Sequence, residues 1–147
     1  MFKRIIITLL TFCFVFIPFG SVSASAAVAS EEIMPLYNNT STAYCTANIN
    51  DSGNMTISYR VYGYSSTTSK IVINTYIEKK VLGLFWSRVD IGETDDEWVD
   101  TINKSTYIGS RSYQLSSTGT YRVNVTYTVY GTGGAADVIP FSIEKSY

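Results

Sequence analysis

Apolar and polar residues alternate along most of the chain from Tyr44 onward, as they do in strands that bury one face. The first two predicted strands cover residues 44–49 and 55–62, and the turn-forming residues 51–54, Asp-Ser-Gly-Asn, join them. This arrangement predicts a hairpin. Its inward-facing residues are expected to be Cys45, Ala47, Ile49, Met55, Ile57, Tyr59 and Val61.

Five further strands are predicted after this hairpin, at residues 70–80, 85–91, within 102–115, at 121–130 and at 138–143. The pattern at 121–130 is the clearest, because every second residue from Tyr121 to Val129 is Tyr or Val. Within 102–115 the register stays open, since four residues compete for burial: Tyr107, Ile108, Tyr113 and Leu115. Pro140 has no N–H to donate, so the last strand is expected at a sheet edge or with a bulge.

Seven short strands separated by Gly, Asn and Asp turns, without a sustained helical repeat, favour an all-β fold. The expected architecture is an immunoglobulin-like two-sheet antiparallel β-sandwich of about seven strands, with a small closed barrel as the alternative. Tyr121 supports the sandwich. It follows a glycine turn at Gly119 and comes two residues before a predicted core position, which is the spacing of a tyrosine corner.

Residues 1–26 have the three parts of a secretory signal peptide. Lys3 and Arg4 supply the positive end, an apolar run follows, and Ala24 and Ala26 are small residues suited to cleavage after Ala26. The alternative is a retained membrane anchor, but the run of about 15 residues is shorter than the roughly 20 that span a bilayer. The expected product is secreted and extracellular, with a flexible leader at 27–43, a β-sandwich domain at 44–147, and cell-surface association as a further expectation.

The chain carries 11 Lys+Arg, 12 Asp+Glu and no histidine. Loss of Lys3 and Arg4 with the signal peptide leaves nine basic residues against 12 acidic ones, a net charge of −3. This balance argues against a nucleic-acid partner. The lack of histidine excludes Ser-His-Asp and Cys-His chemistry, and no Gly-x-Ser-x-Gly sequence is present. No catalytic residue, metal site or cofactor is therefore predicted, and the protein is not expected to be an enzyme.

An unusually apolar turn is predicted between the third and fourth strands. It contains Leu82, Leu84, Phe85 and Trp86, with Lys79, Lys80 and Arg88 beside it. Exposed apolar clusters often mark contact surfaces, and the basic residues would suit an anionic envelope surface. Alternatively, the turn folds back and covers the open end of the sandwich. The sequence is compatible with both a contact surface and a turn that covers the core.

Cys45 is the one cysteine that remains after signal cleavage, so no internal disulfide can form. It is expected either as a small buried residue or as one half of an intermolecular disulfide between two copies. A reactive thiol is disfavoured because no basic neighbour is visible in the sequence to lower its pKa.

Two other groups of residues suggest binding. The carboxylates Asp90, Glu93, Asp95, Asp96, Glu97 and Asp100 could bind Ca²⁺, although they match no EF-hand loop and also suit a solvated acidic segment. Tyr62, Tyr64, Tyr76 and Tyr130 could form a platform for sugar rings, or they could pack against neighbouring strands.

Several segments carry a family resemblance. These are residues 69–73 (Ser-Lys-Ile-Val-Ile), 78–80 (Glu-Lys-Lys), Trp86, 119–123 (Gly-Thr-Tyr-Arg-Val) and 129–130 (Val-Tyr). In them the chain resembles a functionally uncharacterised family of small exported β-sandwich proteins of Gram-positive bacteria. The resemblance implies export and a fold, but no activity. Relatives often pair two cysteines across the first hairpin. Here the position opposite Cys45 is expected near Ile57, so that bridge would be missing.

These expectations together predict an exported small protein that is a non-catalytic binding or envelope-associated module. Its partner would be a cell-envelope component, a protein or a glycan. The alternative is a self-assembling structural extracellular protein, a homo-oligomer held by strand edges and by a Cys45–Cys45 bridge.

Overall fold

The alternating segments fold into eight β-strands, in a computed structural model that describes residues 37–147. The strands are β1 (Thr40–Ile49), β2 (Asn54–Gly63), β3 (Thr68–Val81), β4 (Phe85–Arg88), β5 (Trp98–Ile102), β6 (Thr106–Gln114), β7 (Thr120–Gly131) and β8 (Asp137–Ser146). A short 3-10 turn, Thr94–Asp96, is the one helical element in this part of the chain. None of residues 37–147 belongs to a helix with the length and apolar character needed to cross a membrane.

The strands form two antiparallel sheets. One has three strands in the order β1-β2-β6, and the other has five, in the order β4-β3-β7-β8 with β5 also paired to β3. Both β4 and β5 lie along the same edge of β3, because β4 pairs with residues 78–81 and β5 with residues 71–75. The expected all-β fold of two antiparallel sheets is confirmed. The alternative of one closed barrel is wrong.

The core lies between the two sheets and is built from the alternate residues of each strand. Residues of β2 face residues of β3 and β7, so that the side chains predicted to be inward at Ile57, Ile73 and Val125 are all buried. On β6, Tyr107 and Tyr113 pack against the core, whereas Ile108 faces outward. The odd-numbered residues of β6 are therefore the inward ones, which answers the question of register that the sequence left open. The fully buried large side chains are Tyr59, Tyr121, Tyr127, Met55, Ile57, Ile71, Ile73, Ile77, Val61, Val123, Val125 and Val129.

Two strand boundaries differ from the prediction. β1 begins at Thr40, inside the segment 27–43 that was expected to be a flexible leader. The predicted strand at 85–91 ends at Arg88, and Trp98–Ile102 forms an additional strand in a segment interpreted as an acidic loop. Polar partners distant in sequence stabilise both segments, as described below. The predicted signal peptide, 1–26, and leader residues 27–36 lie outside the described residues.

The predicted edge position of the last strand is confirmed, and Tyr121 makes a local hydrogen bond at the start of β7. β8 pairs with β7 alone and forms an edge of the five-stranded sheet, which suits Pro140. The hydroxyl of Tyr121 donates a hydrogen bond to the backbone oxygen of Ser117 at 2.6 Å. This bond ties the start of β7 to the loop that precedes it.

Candidate functional site

The β3–β4 hairpin ends in a tight turn made of apolar residues. The backbone N–H of Leu84 donates to the carbonyl oxygen of Val81 at 3.1 Å and closes the turn. Leu82 and Gly83 both have positive φ angles, 53° and 69°. Two consecutive positive φ angles are typical of the hairpin turns that match the twist of paired strands, and Asn-Gly is the sequence that favours them.

The side chains of this turn lie in solvent. Leu82 is 85% exposed, Leu84 74% and Phe85 64%, and Val81 beside them is also exposed. These four residues are called the apolar tip below. The alternative in which the turn folds back over the open end of the sandwich is wrong, because a covering turn would bury these side chains against the core.

Leu82 adopts a backbone conformation that is unfavourable for its residue type. An L-residue with a branched side chain at positive φ experiences a steric clash that costs about 1–2 kcal/mol, whereas glycine avoids the clash and asparagine tolerates the conformation. Exposure of the leucine to water recovers none of this cost. At this position glycine or asparagine would give a more stable fold. A strained leucine here therefore points to a role in function rather than in stability.

Trp86 differs from the other three residues predicted for the contact loop. It is only partly exposed and pairs with Lys80 across the hairpin. The Arg122 guanidinium lies over its ring at 4.2 Å from the centroid, and the Lys80 ammonium lies at 5.4 Å. The structure therefore places Trp86 at the base of the apolar tip, held by two cations, and not within it.

Cationic side chains surround this base. The Lys79 ammonium donates to the Ser117 hydroxyl at 2.6 Å and lies 5.5 Å from the centroid of the Tyr121 ring. Arg122 forms an ion pair with Glu78 at 2.8 Å. In residues 37–147, neither Lys79 nor Lys80 lies within ion-pair distance of a carboxylate. Their charges are thus available to an external anion.

Cys45 lies on the inward side of β1, partly buried against the core. Its cross-strand partner is Tyr59, whereas Ile57 is opposite Ala47, so the partner expected near Ile57 is two residues away. Burial raises the pKa of the Cys45 thiol to about 11, and the neighbouring Tyr127 hydroxyl acts in the opposite direction. The thiolate that would attack a second cysteine is therefore scarce near neutral pH. The intermolecular disulfide stays a prediction.

The six carboxylates of residues 90–100 do not converge. Asp100 accepts a hydrogen bond from Arg111 Nε at 3.0 Å, Glu97 accepts one from the Asn74 amide at 2.6 Å, and Asp90 accepts one from the Gly92 backbone at 2.9 Å. Within the described part of the chain, no group of three or more acidic, His or Cys side chains is arranged to hold a metal ion. The Ca²⁺ hypothesis thus finds no support in the geometry.

The four tyrosines proposed as a sugar platform lie on different surfaces. Tyr62 belongs to the three-stranded sheet, Tyr64 to the loop after it, and Tyr76 and Tyr130 to the five-stranded sheet. The last two are far apart, since Tyr130 pairs with Lys70 and Tyr76 is six residues further along β3, roughly 20 Å at the rise of a strand. A single platform of all four tyrosines is therefore wrong.

Sequence reasoning missed both salt bridges, Arg111–Asp100 and Arg122–Glu78, and one surface groove. Arg111 of β6 reaches across to Asp100 of β5 and so links the two sheets. On the outer face of the three-stranded sheet, a shallow groove is bordered by Tyr44, Arg60 and Ile108 and floored by Thr46, Ser58 and Ser110. The alternation places these residues outward, but only the strand order makes them neighbours.

Neither a protein-family model nor a curated protein matches the chain.

Proposed function

We propose that this protein is an exported, non-catalytic binding module that attaches to the cell envelope through the apolar tip. The observation that carries the proposal is the exposure of Leu82, Leu84 and Phe85 at a turn where Leu82 is held in a strained backbone conformation. Export is inferred from the signal-peptide pattern of residues 1–26. The segments that resemble small exported proteins of Gram-positive bacteria favour the same location.

The fold that we propose for the domain is immunoglobulin-like. Two features support this proposal. The first is the division of the strands between the β1-β2-β6 sheet and the β4-β3-β7-β8 sheet, in which β2 pairs with β6 and β3 pairs with β7 although these partners are distant in sequence. The second is the Tyr121–Ser117 hydrogen bond at the start of β7, which has the form of a tyrosine corner. Such domains commonly use hairpin ends as binding surfaces.

A binding role is favoured over catalysis because the three carboxylates that are buried or partly buried in ion pairs or hydrogen bonds with distant residues serve structural contacts. Asp100 pairs with Arg111, Glu78 pairs with Arg122, and Asp137 binds the start of β1. The chain contains no histidine, the side chain most often used for proton transfer near neutral pH.

A self-assembling structural protein is the second candidate. It is favoured by β1, an edge strand of the three-stranded sheet whose free backbone groups can pair with a second copy. Non-reducing electrophoresis tests the Cys45–Cys45 bridge, and analytical ultracentrifugation tests assembly through strand edges. A dimer that disappears on reduction, or an oligomer that grows with protein concentration, supports this candidate, and a monomer in both measurements contradicts it.

The envelope proposal is tested by co-sedimentation of the chain lacking residues 1–26, which retains all eight strands, with isolated cell envelopes. The test variant is Leu82→Ser/Leu84→Ser/Phe85→Ser. The matched control is Val99→Ser/Ile108→Ser/Val138→Ser, which removes three other exposed apolar side chains. We expect the test variant to remain in solution with nearly unchanged thermal stability, and the control to pellet like the parent chain. Equal pelleting of both variants would contradict the proposal.

A further inference from the structure

The apolar tip projects from the body of the domain. Val81 and Phe85 form the last cross-strand pair of the hairpin, and the residues between them extend beyond it. Apart from Gly83 and its two neighbours, no atom of residues 37–147 lies within 4 Å of the position that a side chain on Gly83 would occupy. The end of the turn is therefore surrounded by solvent, while Val81 at its root borders a cavity against Leu115 and Tyr121.

The dimensions of the tip match the depth of a membrane interface. The Lys80–Trp86 pair comes directly before the Val81–Phe85 pair. With a rise of about 3.3 Å per extended residue, the turn lies at most about 10 Å beyond Lys80 and Trp86, because the turn residues themselves are not extended. Apolar groups that bind at a bilayer surface are buried about 5–10 Å into the boundary between headgroups and acyl chains. The apolar part of the hairpin does not exceed this depth.

The residues at the base of the tip are those that favour the headgroup layer. Trp86 is partly exposed, and tryptophan is enriched at the interface between membrane and water. Lys80 lies over the Trp86 ring, and Lys79 lies on the opposite face of the hairpin, against Ser117 and Tyr121. Neither lysine has a carboxylate partner among residues 37–147. Lysines close to an anionic membrane are attracted to its surface.

The charge at this end of the domain is positive although the chain is acidic overall. On the neighbouring strand β8, Lys145 lies opposite Tyr121 and Glu144 lies opposite Arg122. The charge of Glu78 is neutralised by its ion pair with Arg122. The carboxylates of residues 90–97 follow the end of β4 that points away from the tip. Two side-chain carboxylates without an ion pair lie at this end, Glu144 and Asp51 of the β1–β2 turn, and the three lysines Lys79, Lys80 and Lys145 outnumber them.

We propose that the apolar tip inserts into the surface of an anionic lipid bilayer, with Trp86 and the lysines of its base at the headgroup level. This inference rests on the proposed envelope attachment and names its partner. Leu82, Leu84 and Phe85 supply apolar area to the acyl region, while Lys79 and Lys80 select for acidic headgroups. A protein or a wall polymer as partner is an outcome that the test below separates.

The test uses vesicles of phosphatidylglycerol and phosphatidylcholine in equal parts, and vesicles of phosphatidylcholine alone. We expect binding to the anionic vesicles to be at least tenfold tighter, and to weaken with added salt because exposed charges are screened. Tryptophan emission should shift to the blue and be quenched by lipids brominated near the headgroup. Trp86→Phe should remove the quenching, since the remaining Trp98 is only 8% exposed within the sandwich.

Two variants separate the contributions of the tip and its base. Leu82→Ser/Leu84→Ser/Phe85→Ser should abolish vesicle binding, and Lys79→Gln/Lys80→Gln should weaken it several-fold on anionic vesicles. The Val99→Ser/Ile108→Ser/Val138→Ser control should bind as the parent chain does. Pelleting with whole envelopes but not with anionic vesicles would overturn the lipid assignment and leave the proposed attachment standing. Failure to pellet with either would overturn both.

Discussion

The carboxylate of Asp137 accepts a hydrogen bond from the backbone N–H of Asn39 at 2.8 Å, and the two residues are 98 positions apart in the sequence. The same carboxylate accepts the Asn38 N–H at 2.8 Å and the Thr40 hydroxyl at 2.9 Å. Asp137 is buried at the start of β8, and Asn39 is buried immediately before β1. This cluster fastens the first strand of one sheet to the last strand of the other.

Replacement of Asp137 by asparagine should lower the free energy of unfolding by about 2 kcal/mol. Hydrogen bonds to a charged group contribute about 1.5–3 kcal/mol each, and an amide NH₂ group in place of one oxygen would oppose a donor. Urea unfolding followed by circular dichroism measures the change. Asp51→Asn, in the exposed β1–β2 turn, is the control and should have no effect. Equal stability of the two variants would mean that the Asp137 cluster does not hold β1.

Substitution of Leu82 by asparagine should stabilise the fold by about 1 kcal/mol. Asparagine tolerates positive φ better than leucine, and removal of an 85% exposed side chain sacrifices little packing. Differential scanning calorimetry should show a higher melting temperature. Leu84→Ser, in the same exposed turn but without a positive φ angle, should change it by less than about 0.5 kcal/mol. A destabilised Leu82→Asn variant would show that the leucine packs against the domain.

Replacement of Tyr59 by phenylalanine should leave stability unchanged or raise it by about 1 kcal/mol. In the described residues, the buried hydroxyls of Tyr59 and Thr75 are neighbours, but neither makes a hydrogen bond of regular length and angle. Removal of an unpaired buried polar group relieves a desolvation cost. The control is Tyr127→Phe, which loses a hydrogen bond to the Tyr44 carbonyl oxygen at 2.8 Å and should be destabilised by about 1 kcal/mol. Chemical denaturation of both variants gives the comparison. A clear loss of stability in Tyr59→Phe would show that its hydroxyl is hydrogen-bonded in solution.

The domain should lose stability as the pH rises from 9 to 12. Burial raises the pKa of Cys45 from its ordinary value of 9.0 to about 11, and that of Tyr59 from 10.0 to about 12. Because the unfolded chain ionises first, folding favours the neutral forms. Their contribution is complete below pH 9 and is lost as the pH rises through the folded pKa values.

Urea midpoints measured in steps between pH 8 and pH 12 test this expectation. Cys45→Ala should remove the first part of the decline, and Tyr59→Phe should reduce the part that begins near pH 10. The rest of that second part belongs to Tyr127, because burial raises the pKa of its hydroxyl as well. Each substitution also removes packing contacts, which lowers the urea midpoint by the same amount at every pH. Comparing the slopes of midpoint against pH removes this constant difference. A pH dependence that neither substitution alters would contradict the assignment to these two groups.

The alternation of residues was sufficient to predict most strands and the faces that they bury. At β2 and β7 the predicted inward residues are the buried ones, because successive side chains of a strand point to opposite sides whatever the strand pairs with. Tyr121 was also predictable, since its hydrogen bond to Ser117 closes within the local sequence. The apolar residues of the tip were visible in sequence, although their exposure was not.

The remaining features depend on partners that are distant in the chain. Trp98–Ile102 has the charged residue Asp100 at its centre, and its strand pairs with β3 while Asp100 binds Arg111. The extension of β1 back to Thr40 depends on Asp137. The pattern of neighbouring residues in the sequence does not indicate these long-range contacts.

The sequence by itself therefore determined the all-β character, the inward faces and the apolar composition of the β3–β4 turn, since each follows from side-chain chemistry at a period of two residues. Only the tertiary structure decided that the tip stands free in solvent, that Trp86 lies under Arg122 and Lys80, and that the tyrosines are divided between two sheets. The physical reason is that exposure and pairing depend on strand order, and strand order arises from contacts between segments far apart in the chain.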